Sequence, residues 1–488
     1  MKIGFSKGRL TPALNLTVKS APLSATSNSR KFDLERKFDV TDRVQGIWRQ
    51  DEGGTRKVAA DLFTVVLAAE NSDGRFIVLS LDQTQIDFDK LDLIRSHLSE
   101  KTGLRKDRIL CHSTHCHMTL NYDTTMFLTI LEQTVNKALS SMTEAEVAAI
   151  NIEVEGKRYV INRRVHLPGV GTRTIMFNDY CEIKDDSMVV TEQMKTWVKN
   201  LGGNPDDFIH GPISTDGEVD NNLQALIFRD AETKKTIGTL TRFASHPVIV
   251  SEKKANGDIS ADFPGYLREH IQEKLGGTAM FVQGPCGDLR PLMREYSHAF
   301  AKSYGTSLAE HIVKAANKAV FEKITSINFL VKPLNLPLRK DMCRTTEDAA
   351  VKMDELEKAF DAETNIEKRR RLQNLFWFYY RITSVKKFLR SEWLTTNTIS
   401  TSMYALSFNK NVIIGNQGEI FLHTKKGMIA GFEKYNPITM TLCNEEMSYV
   451  PTLEDFDKGG YEPSVCLVEP GSTSLYVQTA QNLLKEIL

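Results

Sequence analysis

The chain has no net charge: 62 Lys plus Arg balance 62 Asp plus Glu among 488 residues. A balanced surface gives no electrostatic reason to expect nucleic acid or an anionic membrane as partner, so a small-molecule substrate is the expectation. No apolar run reaches the length of a membrane span, and the opening Met1-Lys2-Ile3-Gly4-Phe5-Ser6-Lys7-Gly8 lacks the apolar stretch of a secretion signal. The seven cysteines, at 111, 116, 181, 286, 343, 443 and 466, form no CxxC pair and no regular framework. Such a set reads as free thiols in a reducing compartment, which makes the cytoplasm the expected location. Nucleotide and nucleophile templates are missing too: there is no P-loop, GxGxxG, GxSxG or HExxH. Gly169-Val170-Gly171 is a bare GxG after a proline and reads as a turn.

What remains is an alternation of strand and helix signals, which predicts an α/β protein with a mixed β-sheet core flanked by helices. Apolar runs at Phe63–Leu67 and Phe76–Leu79 flank Asn71-Ser72-Asp73-Gly74, a hairpin signal. A helix with Asp89 as N-cap, Leu91, Ile94 and Leu98 inward and Gly103 as its stop is predicted next. The strand 108–111 and a helix over 125–138 follow. A second strand pair is expected at 225–228 and 237–240, then a helix started by Pro264, a strand at 278–282 and helix over 299–323. Residues 347–393 contain neither glycine nor proline and are rich in charge. They predict two long helices, an inserted hairpin over 345–395 that is either a projecting lid or a packed layer. Strands return at 403–408 and 412–414, and an amphipathic helix spans 474–487. Without repeats or a low-complexity linker, residues 1–488 are expected to form one domain.

Histidine is scarce, 11 in all, yet Cys111-His112-Ser113-Thr114-His115-Cys116-His117 packs three into the six positions from His112 on. In an extended segment, residues i and i+2 share a face, so His115 and His117 are expected to converge while His112 points away. Imidazole is the commonest zinc donor, and open zinc sites collect their remaining ligands from distant segments. Histidines satisfied at a strand end are the plainer alternative. His246 closes the apolar strand Arg242-Phe243-Ala244-Ser245 and is followed by Pro247, which suits a rigid ligand or a core histidine. Acidic and glycine-rich turns follow, Asn256–Gly265 and Gln283-Gly284-Pro285-Cys286-Gly287-Asp288.

The order of these segments resembles the catalytic domain of the neutral ceramidase family. Ile3-Gly4-Phe5-Ser6 through Leu10-Thr11-Pro12 is similar to its AGxARxDITP opening, and Ser80-Leu81-Asp82 to its VSLD strand. Ser113–His117 is similar to THTH, Asn162-Arg163-Arg164 to an asparagine–arginine pair, and Phe243–Pro247 to FACHP. Ile259–Gly265 is similar to ISADYPG, Gln283–Asp288 to QGxxGD, and Asn416-Gln417-Gly418-Glu419 stands where that family has PGE. Tyr449 and Tyr461 keep the spacing of its two active-site tyrosines. The resemblance implies that His115, His246, Glu419 and Tyr449 bind one zinc ion. It places His117, Arg163 and Tyr461 at the reaction centre, touching the attacked carbonyl or its oxyanion, and makes Asp262 and Asp288 candidates for orienting the histidines. The implied activity is hydrolysis of an amide, an ester or lactone being the nearest variant. A zinc-assisted lyase or isomerase on a sugar- or polyol-like substrate, or a non-catalytic zinc protein of the same fold, are the alternatives.

Two departures bear on the substrate. Met118-Thr119-Leu120-Asn121-Tyr122 replaces the glycine-bearing SGP stretch that follows THTH in the family. The chain ends 27 residues past Tyr461, which leaves no room for the family's immunoglobulin-like C-terminal domain. The metal and the hydrolytic class are therefore the expectation, and the lipid is not.

Overall fold

The computed structural model describes residues 1–11, 37–38, 58–120, 122–154, 159–176, 181–184, 187–215, 217–250, 258–384 and 389–488. Pro12 of the opening motif, Asn121 and the Asn256-Gly257 turn lie outside these residues.

Strands β1 (Lys2–Arg9), β2 (Phe63–Asn71) and β3 (Gly74–Leu81) run antiparallel in turn. The predicted hairpin is there, with Asn71 paired to Gly74 and Gly74 at φ +115°, a conformation glycine adopts without a Cβ clash. Helix α1 (Phe88–Thr102) carries the chain to β4 (Ile109–Ser113), parallel to β3. Its cap is Asp87, whose Oδ1 accepts from Lys90 N at 2.8 Å; Asp89 lies inside the first turn, where an acidic side chain favours the helix dipole instead. The stop at Gly103 is as predicted, at φ +73°. Helix α2 (Thr124–Ser140) leads into β5 (Thr143–Glu153), which pairs with β6 (Asn222–Asp230), itself paired with β7 (Thr236–Phe243).

Helix α3 (Asp262–Leu275) then crosses to β8 (Thr278–Gln283), parallel to β7, and α4 (His298–Ala316) follows. Pro264 is the third residue of α3, not its first, because Asp262 already accepts the Phe263 amide at the helix start. The helix expected over 299–323 ends at Ala316, and Glu322–Lys323 instead pairs with β5.

These strands form one mixed sheet ordered β8-β7-β6-β5-β1-β2-β3-β4. Its two halves share only the pairs Lys2↔Glu144 and Ile3↔Thr143. Strand β8 lies against β3 and β4: Ser80 Oγ donates to Phe281 O at 2.7 Å, and Gln283 N–H donates to His112 Nε2 at 2.9 Å. That closure brings the end of β4 to the end of β7, and with it His115 to His246.

A second sheet contains β9 (Ile327–Pro337), followed by helices α5 (Thr346–Ala362) and α6 (Ile366–Ser384), then β10 (Thr398–Phe408), β11 (Asn411–Gly415) and β12 (Ile438–Met440). The alternation of side chains along each strand explains the layering. Val65, Leu67 and Ala69 of β2 meet Tyr404, Leu406 and Phe408 of β10 between the sheets. Val66 and Ala68 face α1 and α2, while Ala225 and Ile227 of β6 face α3 and α4. Met403 and Ala405 of β10 turn outward beneath helix α7 (Thr473–Ile487), which buries Tyr476, Leu483 and Leu484 there. Truncating one such buried leucine to alanine costs about 2–5 kcal/mol.

The helices predicted over 345–395 form a packed layer. Phe376, Trp377 and Tyr380 of α6 enter a core with Trp197, while Phe378, Tyr379 and Ile382 enter the core beneath α7. All seven cysteines are free, and among the described residues no helix is long and apolar enough to cross a membrane.

Candidate metal centre

His115 lies two residues beyond β4, at φ +68°, in the left-handed region that non-glycine residues seldom occupy. Its backbone N–H donates to Gln83 O at 3.0 Å, and its Nδ1 faces Thr84 O at 2.8 Å. The loop after β3 thus over-determines a conformation that costs of order 1–3 kcal/mol. The chain has left the strand by this point, so His115 and His117 approach, ring centres 4.9 Å apart, through a bend rather than strand alternation. His112, still within β4, points away as expected: Ser80 Oγ lies 3.1 Å from its Nδ1, and burial holds it neutral, down to about 3.

His246 follows β7 and fixes its ring by Nδ1 on Leu289 O at 2.9 Å. Glu419 arrives from β11 through Gly418, at φ +72°, where a Cβ would press on Ser448 O. Glu419–Ile420 pairs in parallel with Tyr449–Val450, and this register seats Glu419 directly beside Tyr449. The Glu419 Oε2 lies 2.9 Å from His246 Nε2 and 3.2 Å from His115 Nε2, and Gln85 Nε2 donates to Oε1 at 3.1 Å. His115, His246 and Glu419 are almost wholly buried.

The tautomers decide what this arrangement is for. A ring nitrogen facing a carbonyl carries the proton, so Nδ1–H of each histidine points outward and each Nε2 turns inward toward Glu419. Burial, with the Arg163 charge, brings His246 down to about 4, which keeps it neutral at physiological pH. Two lone pairs and a carboxylate therefore converge, acceptors upon acceptors, and buried His115 Nε2 has no hydrogen-bond partner. The missing component is a cation. His115, His246, Glu419 and Cys286 place one donor atom each within 4.8 Å of one another. Around zinc, with bonds of about 2.0–2.3 Å, tetrahedral neighbours stand about 3.3–3.8 Å apart, so the group fits such an ion with small adjustments.

Beside the cluster, Tyr449 Oη lies 3.2 Å from His246 Nε2 and accepts from Arg163 Nη2 at 2.9 Å. Burial, reinforced by Glu419, keeps the Tyr449 phenol well above its ordinary value against the pull of Arg163. Arg163 also donates to Gly287 O at 2.8 Å and to Glu462 Oε1 at 3.1 Å. Tyr461 packs edge-on against Tyr449, ring centres 5.5 Å apart. Helix α6 braces this arm: Arg370 donates to Asp457 O, and Asn374 to Gly460 O. His117 is the exposed member, so the cluster opens to solvent on its side. A polar cavity of about 580 Å³ adjoins the arm, lined by Asn162, Arg164, His166 and Asp455 among others. Arg164 links the two by sharing Glu462 with Arg163.

Every residue named from the resemblance as ligand or reaction-centre group is thus in one neighbourhood. Asp262 and Asp288 do not orient the histidines, whose outer nitrogens take backbone carbonyls. Asp262 instead caps its own loop through Val250 N and Phe263 N, and Asp288 accepts from Asn162 Nδ2 and Leu422 N. Two participants escaped the sequence reading. Cys286 stood in the glycine-rich turn but was read only as a thiol, and Glu462 is wholly buried with Arg163, Arg164 and Thr174 around it. Its place beside Tyr461 was the one signal.

No protein-family model matches this chain, and no curated protein does. Solved structures do. The neutral ceramidase of Pseudomonas aeruginosa aligns over 99% of this chain and 74% of its own, at 14% identity and a TM-score of 0.61. The chain has the neutral ceramidase fold. A second ceramidase, solved complexed with C2, aligns over 99% of this chain and 75% of its own, at 13% identity and a TM-score of 0.61. At such identities the ceramidase likeness speaks for the fold, including the mixed sheet and its flanking helices, and leaves the chemistry to the residues.

Proposed function

We propose that this protein is a zinc-dependent hydrolase that cleaves an amide, N-acyl bond. The observation that carries the reading is the convergence of His115 Nε2 and His246 Nε2 on Glu419 Oε2, at 3.2 and 2.9 Å, beside a buried arginine and two tyrosines. His115, His246, Glu419 and Tyr449 would hold the ion. When bound, zinc supplies a Lewis acid that polarises a carbonyl and brings the pKa of water from 15.7 to about 7.

The chain's own groups do the remaining work. Arg163, pinned by Glu462 and Gly287 O, offers fixed positive charge where a tetrahedral oxyanion develops, and pre-set donors of this kind stabilise a transition state without reorganising. The Tyr461 phenol borders the same space and can share the oxyanion. His117, at the open side, is placed to relay a proton to the leaving amine, while desolvation and the neighbouring His115 and His246 hold its imidazole well below its ordinary value. The likeness to ceramidases supports an acyl-amide substrate. Met118 and Leu120, which stand where the family has its glycine-bearing stretch, are buried in two hydrophobic cores.

The test is twofold. Purified protein should carry about one zinc per chain, and it should release amine from at least one member of a panel of N-acyl amines, acylated amino acids and ceramides, with chelator abolishing the release. A metal-free protein, or a zinc-loaded one inert toward the whole panel, overturns the reading.

A further inference from the structure

The turn after β8 holds a thiol inside the metal cluster. Gly287 N–H donates to Ile420 O at 3.0 Å, and a Cβ at Gly287 would meet Glu419 O at 2.5 Å, so the turn is pressed onto the segment that carries Glu419. This contact places the wholly buried Cys286 Sγ within 4.8 Å of the donor atoms of His115, His246 and Glu419. Buried structural cysteines ordinarily behave as small apolar groups. Cys286 differs from the other six because, among the described residues, its sulfur alone joins a group of donor atoms able to hold a metal ion, with the unpartnered His115 Nε2 beside it.

We infer that Cys286 is itself a metal ligand, giving the centre a sulfur donor alongside two imidazoles and a carboxylate. The inference rests on the metal reading above and goes beyond it. On loading, the Cys286 S–H bond breaks, its proton passes to the solvent buffer, and the sulfur–metal bond forms; no redox partner is needed. Two neutral imidazoles, one carboxylate and one thiolate bring the charge of a divalent ion to zero, which suits donors that are almost wholly buried. Sulfur also sets the metal choice, since thiolate favours zinc and other soft ions over magnesium, manganese and calcium. Tyr449, held by Arg163, then serves as a fifth, displaceable donor, and five-coordination is within zinc's range.

Cobalt titration of the full chain, followed by absorption, separates the two levels. Visible ligand-field bands report that the ion is bound in a low-symmetry site, and a near-ultraviolet sulfur-to-cobalt charge-transfer band reports the thiolate. We expect both bands in the wild type. In Cys286→Ser we expect the charge-transfer band to vanish, the visible bands to shift, and zinc affinity to fall at least about tenfold, the loss that even an outer-shell partner's removal brings. Visible bands without charge transfer, or a charge-transfer band that survives in Cys286→Ser, overturn the inference and leave the metal reading standing. No cobalt or zinc uptake overturns both. X-ray absorption on zinc-loaded wild type requires no variant: a sulfur neighbour at about 2.3 Å supports the inference, and a shell of nitrogen and oxygen alone refutes it.

Discussion

Two of the buried clusters of charge-bearing side chains among the described residues are built on opposite plans. In the first, Asp220 is wholly enclosed, and its Oδ2 accepts from both Arg242 Nη2 and Lys425 Nζ. Donors face an acceptor, the opposite charges meet, and the two cations outweigh the cost of burial to hold Asp220 well below the usual carboxylate range. In the second, His115, His246 and Glu419 point acceptors at acceptors. A cluster that closes on its own hydrogen bonds serves the fold. One that leaves lone pairs aimed at a common point is completed by something the chain does not contain.

The comparison breaks most visibly under substitution. Asp220→Ala strands two buried cations and should cost about 3–5 kcal/mol, equally with metal and with chelator, in chemical denaturation. A loss confined to the metal-loaded protein would mean that the two clusters are one system. His246→Ala should do the reverse. With metal a thousandfold above its Kd the wild type gains about 4 kcal/mol of stability, and the variant should gain none. A full gain in His246→Ala would remove that residue from the ligand set.

A smaller effect separates holding the ion from using it. Arg163→Gln should keep its zinc and lose about 10²–10³-fold in kcat, the usual consequence of deleting one oxyanion donor. Lost zinc would assign Arg163 to the metal's support instead. A last effect, spread over several pH units, is in pH dependence. Burial pushes Asp262 up to about 7, against the amides of Val250 and Phe263. The folded state therefore binds a proton that the unfolded chain releases between about pH 4 and 7. Stability falls across that window as pH rises, by up to about 1.4 kcal/mol per pH unit for one proton, and is flat above it. Asp262→Asn should flatten the slope, as followed by denaturation at several pH values; an unchanged slope would assign the titration to other groups.

Much of the fold was legible because local physics spoke plainly. The Asp73-Gly74 turn, the stop at Gly103 and the apolar runs of β2, β3, β6 and β7 all match strands and helices. The misplacements were local competitions. Asp87 and Asp89 are both fair caps, and the one whose side chain reaches the third amide wins. Pro264 tolerates the third helical position as well as the first, since that amide is unbonded in either case. For the site, the sequence supplied the residue types in collinear order, yet the expected carboxylate supports of the histidines proved to be carbonyls. Backbone acceptors leave no trace in residue identity.

The amino-acid order by itself determined most of the strands and helices, though not β1, β5 or β9, and which side chains have the chemistry to bind a metal. Only the tertiary structure decided that they meet, because β8 closing on β3 and β4 and the Glu419–Tyr449 register are long-range pairings. It alone also brought Cys286 and Glu462 into the site. Directional bonds between residues as many as 201 positions apart fix those distances, and no local propensity encodes them.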